Sequence, residues 1–73
     1  MDTHTYQIQV RGYLDEQRLS WFANLAVAYT AAGETVITAA QLDQAALHAL
    51  LNRIRDLGVE LLALQVIPPR RIL

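Results

Sequence analysis

The sequence predicts an α+β chain of the ferredoxin-like kind: a βαββαβ two-layer sandwich, with a four-stranded antiparallel sheet and two helices on one of its faces. Three observations lead there. Residues 6–11 alternate apolar and polar side chains, as a half-buried strand requires. Residues 42–58 repeat apolar residues at helical spacing. The patterned segments then follow in the order strand, helix, strand, strand, helix, strand, with no internal repeat and no linker.

In the first strand Tyr6, Ile8 and Val10 point one way and Gln7, Gln9 and Arg11 the other, and Gly12 ends it. Asp15 then stands where an N-cap would, with Glu16 in the first turn, where the helix dipole favours an anion. Leu19 and Phe22 follow at a spacing of three, so a short helix is expected from Glu16 to Ala23. Leu25, Val27 and Tyr29 alternate with small residues, Gly33 can supply a positive φ, and Thr35–Thr38 is β-branched throughout, which together read as a hairpin. In the long helix Leu47, Leu50, Leu51, Ile54 and Leu57 fall within an arc of roughly 120°. Asp43 is its expected cap, Arg53 and Asp56 are spaced to pair, and Gly58 is its expected terminator. The last strand, VELLALQVI, stops at Pro68-Pro69. Residues 1–67 are thus read as a single domain and residues 68–73 as a Pro/Arg tail.

Composition narrows the function classes. The chain has 73 residues, of which 53% are hydrophobic and 18% charged, and no cysteine. Disulfides, thiolate metal sites and thiol nucleophiles are therefore excluded. His4 and His48 match no metal-ligand spacing, so neither a metal nor another cofactor is expected. A net charge of −1 gives no electrostatic reason to expect nucleic acid. No run reaches the roughly 18 apolar residues of a membrane span, and the N-terminus has no apolar signal core, so a cytoplasmic location is the expectation.

The polar side chains of the long helix form the only cluster that could hold chemistry. Gln44, His48 and Asn52 recur every fourth residue, with Arg55 beside them. A catalytic histidine needs a nucleophile or an orienting carboxylate in reach, and this stripe supplies neither. It is read as the solvated side of a core helix, and as the weak candidate set if a ligand binds. A two-layer fold also leaves one sheet face without helices. On that face the alternation places Gln7, Gln9, Ala26, Ala28, Leu61, Ala63 and Gln65, which are small or uncharged. Trp21, beside a core Phe22, is expected at the edge of the core or in a contact. These residues predict a homo-oligomer, joined through the open face or an edge strand, with a further protein partner left open.

Two resemblances accompany this reading. In length and topology the chain resembles ACT-type ligand-binding domains, which pair side by side and bind amino acids between subunits. Gly12 and Asp15 occur in its first β-to-α connection, but not in the order of that family, so no site transfers. Trp21-Phe22 followed by DQAALHALLNRIRDLG is similar to a group of small bacterial proteins of unassigned function, over about Tyr6 to Val66. That group usually carries glycine where this chain has Ala23 and Ala40. The resemblance implies a stand-alone domain and brings no activity. The first expectation is accordingly a non-enzymatic, self-associating module with a regulatory or assembly role. An ACT-like metabolite-binding domain is the second, and a small dimeric α+β-barrel-like enzyme using His48 the third.

Overall fold

The structure, a computed structural model, describes residues 2–19, 22 and 25–68. Its strands are β1 (His4–Arg11), β2 (Leu25–Tyr29), β3 (Glu34–Leu42) and β4 (Leu61–Ile67), and its α-helix is α1 (Gln44–Asp56). The four strands form one sheet in the order β2-β3-β1-β4, and every neighbouring pair is antiparallel.

The expected two-helix βαββαβ sandwich is not what forms. Between β1 and β2 the described residues hold only a single 3₁₀ turn, Glu16–Leu19. The Asp15 carboxylate accepts from the Gln17 N–H, the Arg18 N–H bonds the Asp15 carbonyl, and the Phe22 N–H bonds that of Leu19. The last two are i to i+3 bonds, the tighter winding of a 3₁₀ turn. The physical reason is a shortage of buried surface. A short helix lives on the packing of its apolar face, and among the described residues of this connection Leu14 and Leu19 are fully buried while Phe22 only packs against the core half-buried. Those two anchors hold the connection down without a regular helix. Trp21, the end of the expected helix at Ala23, and tail residues 69–73 lie outside the described residues.

The long helix follows its sequence signals closely. Asp43, extended at φ −85°, accepts from the Ala46 N–H, and Gly58 at φ +78° takes the conformation that stops the helix. Asp43→Ala should therefore cost about 1 kcal/mol, seen as a lower urea midpoint with an unchanged slope. Leu47, Leu50 and Ile54 are buried, while Leu51 and Leu57 flank them half-buried. They meet Tyr6, Ile8 and Val10 of β1 and Ile37 and Ala39 of β3 in one core.

Candidate functional site

The sheet has one face under α1 and one face open. Pairing places Ala26, Thr38, Gln7 and Gln65 in one row across all four strands, and Ala28, Val36, Gln9 and Ala63 in the next. These rows alternate with those of the core residues, so they occupy the open face. Charge enters only at one end, where Arg11 pairs in register with Glu34 and forms an ion pair with Glu60 at 3.0 Å. The Gln9 amide donates to the Glu34 carboxylate, and Gln65 Nε2 donates to Gln7 Oε1 at 3.5 Å. Six of the residues expected there, Gln7, Gln9, Ala26, Ala28, Ala63 and Gln65, are brought together.

Leu61 is a correction. The β1–β4 register shifts between Gln9, opposite Ala63, and Val10, opposite Leu61. Leu62 is the extra residue of that bulge, and the shift turns Leu61 to the helix side. There it joins Leu51, Ile54, Arg55 and Val59 in lining a groove of about 320 Å³. Simple alternation along β4 could not reveal this, because one inserted residue reverses the side of everything before it.

The helix side of β4 is poorly covered. Leu61, Leu64 and Val66 are 47%, 42% and 52% exposed. Packing explains it: the buried side chains of α1 share one core with those of β1 and β3. Strand β4, at the end of the sheet and two strands from β3, contributes none of the buried residues. Two strand spacings are about 10 Å, whereas a helix with side chains reaches only about 5–6 Å from its axis.

The polar stripe of α1 faces solvent. Gln44 Nε2 lies 3.2 Å from His48 Nε2, Asn52 is exposed, and Arg55 pairs with Asp56 at 3.4 Å. The expected Arg53–Asp56 pair is replaced by this neighbour contact, and Arg53 Nε reaches the Arg18 carbonyl at 3.4 Å. Among the described residues no three His, Cys, Asp or Glu side chains gather as a metal site would need.

A second polar locus was not legible in the sequence. Thr35 is the one polar residue buried among those described. Its hydroxyl donates to the Gly12 carbonyl at 2.6 Å and accepts from the Leu14 N–H at 3.0 Å. Above it Tyr13 and Tyr29 stack with ring centroids 4.6 Å apart, and the Tyr29 hydroxyl donates to the Leu14 carbonyl at 3.0 Å. The hydrogen bond with Tyr13, then partial desolvation and the Asp15 and Glu16 carboxylates, hold the Tyr29 phenol above its ordinary range. The adjoining open groove, about 400 Å³, is lined by Tyr13, Leu14, Asp15, Arg18, Leu57 and Val59.

Comparison with known families now places the chain. A family described as a domain of unknown function, DUF8691, matches residues 5–65. The chain belongs to this family. The match spans the DUF8691 domain from β1 to the middle of β4, so sheet, loop and helix all fall within it. No curated protein and no solved structure matches. Among the described residues no helix is long and apolar enough to cross a membrane.

Proposed function

We propose that this domain is a non-enzymatic module that works as a homo-oligomer, through the parts of its sheet that one chain leaves unpartnered. The observation that carries the reading is the β4 edge. It presents three large, half-exposed aliphatic side chains on an edge strand of the described sheet, with no charged residue between Leu61 and Ile67. Monomeric proteins blunt such edges with charge, proline, a bulge or a covering loop. Beyond the bulge at Leu62, the β4 segment from Ala63 to Ile67 pairs regularly and carries no charge. Burying a large aliphatic side chain is worth roughly 1.5–3 kcal/mol, so completing the burial of these three in both copies contributes about 5–9 kcal/mol. Association costs an estimated 4–15 kcal/mol, and main-chain hydrogen bonds at the edge supply the rest. The uncharged open face extends the same surface. A regulatory or assembly role in the cytoplasm of a bacterium fits such a module, with DQAALH and IRDLG as its signature.

At tens of micromolar, sedimentation velocity should show a species heavier than the 8.2 kDa chain. A strictly monomeric boundary overturns the reading. Val66→Lys should return the protein to monomer while its circular dichroism stays unchanged, because exposed positions tolerate substitution within about 0.5 kcal/mol.

The loop groove favours one second reading, a domain that binds a small metabolite. Asp15 and Arg18 set opposite charges on its lining beside an apolar Leu57–Val59 wall, which suits a zwitterion with a hydrophobic side chain. A free amino acid at 100 times its dissociation constant would then raise stability by about 2.7 kcal/mol. A flat thermal-shift panel across the amino acids removes this reading. The enzyme reading has less support, since His48 bonds only Gln44 among the described residues.

A further inference from the structure

The self-association reading leaves open how two copies meet. We propose that the junction is β4 itself, residues 63–67 pairing antiparallel with the same segment of a second copy about a two-fold axis at Gln65. The proposal rests on that reading and makes it specific. The result is one continuous eight-stranded sheet, with each copy's β4 at its centre.

Register follows from where β4 is regular. The bulge against β1 involves the first residues of the strand, and pairing is undisturbed from Ala63 to Ile67. A bulge bends its strand and interrupts pairing, so only the regular segment can serve a new neighbour. That segment is centred on Gln65. In an antiparallel pair about this centre, residues whose numbers add to 130 stand opposite each other.

The side chains complement themselves in that register. On the helix side each Leu64 meets the Val66 of the other copy, which covers two of the three half-exposed aliphatics of the edge. On the open face each Ala63 meets an Ile67, small against large. No ionised group lies on the strand, so the two-fold brings no like charges together. At the axis itself two Gln65 side chains face each other. Gln65 Nε2 spends one N–H on Gln7 Oε1. The remaining N–H and Oε1 are one donor and one acceptor, the complement of the same pair on a two-fold-related amide. Gln7, Gln65 and their two symmetry mates would form a four-amide ladder across the middle of the joined sheet. A chemically different strand would have to reproduce this pattern, whereas a second copy has it by symmetry.

The natural chain contains no cysteine, so single cysteines report the junction directly. Opposed residues of an antiparallel pair have Cα atoms about 4.5–5.5 Å apart, within the roughly 4.4–6.8 Å span of a disulfide. At tens of micromolar under mild oxidation, Gln65→Cys should convert mostly to a covalent dimer. Ala26→Cys, on the far edge strand β2, should stay monomeric on a non-reducing gel. Ala63→Cys and Ile67→Cys should link to each other when mixed, and neither to itself. If the unmodified chain sediments as an oligomer but the mixed Ala63→Cys and Ile67→Cys chains, which keep Gln65, do not link, or Ala26→Cys links as readily, the β4 junction is overturned and assembly survives by another surface. If the unmodified chain is monomeric at that concentration, assembly and junction fall together.

Discussion

Leu50→Ala is expected to remove most of the stability of the isolated domain. Leu50 is fully buried at the middle of α1, among the largest of the core side chains. Truncating such a leucine costs about 2–5 kcal/mol, the transfer term plus the cavity left behind. A native chain of this length holds only about 4–11 kcal/mol in total. Each kcal/mol shifts the midpoint of a small domain by roughly 4–8 °C, so Tm should fall by about 8–40 °C in a circular-dichroism melt. Leu64→Ala is the matched control, since Leu64 is half-exposed on the β4 edge and its truncation leaves no enclosed cavity. It should cost under about 1 kcal/mol in a monomer. Equal losses at the two positions, measured at a dilution where the chain sediments as a monomer, would show that α1 does not cover the core as described.

Thr35→Val should be the most damaging of the near-isosteric changes. The substitution keeps shape and volume but deletes the hydroxyl that serves both Gly12 and Leu14. The Leu14 N–H then loses its acceptor in a buried place, and the Gly12 carbonyl loses its donor. An unsatisfied buried group costs about 1–3 kcal/mol, so the two together cost roughly 2–6 kcal/mol. Thr35→Ser supplies the discriminating arm, because it keeps both hydrogen bonds and gives up only a methyl group. Chemical denaturation should place Thr35→Ser well above Thr35→Val. If valine is tolerated as well as serine, the hydroxyl does not hold the loop. Loosening this loop would also free Tyr29, whose hydroxyl bonds the Leu14 carbonyl, so near-ultraviolet dichroism should change with stability.

The elements whose signals are local were legible before any coordinates. Alternation in residues 6–11 put Tyr6, Ile8 and Val10 inside, and all three are buried in β1. Asp43 and Gly58 bracket α1 because capping is chemistry within one turn of chain. Gly33, at φ +81°, turns the hairpin between β2 and β3. The same local logic misjudged residues 16–19, which form a 3₁₀ turn. An acidic first turn and two apolar residues at a spacing of three suit a helix or a 3₁₀ turn equally, and what separates them is how much surface the rest of the molecule can bury.

What the sequence determined by itself was therefore the strands, the long helix with both its caps, an uncharged composition along β4 and the absence of thiol chemistry. What only the tertiary structure decided was the second layer's thinness, the side on which Leu61 emerges, the role of Thr35 and the exposure of Leu64 and Val66. Each of these depends on atoms far apart in the chain. The Thr35 hydroxyl meets groups more than twenty residues away, Leu61 is turned by its register against β1, and β4 is bare because α1 buries its apolar side in a core shared with β1 and β3. Periodicity reports which side of an element is apolar. Only packing reports whether anything covers it.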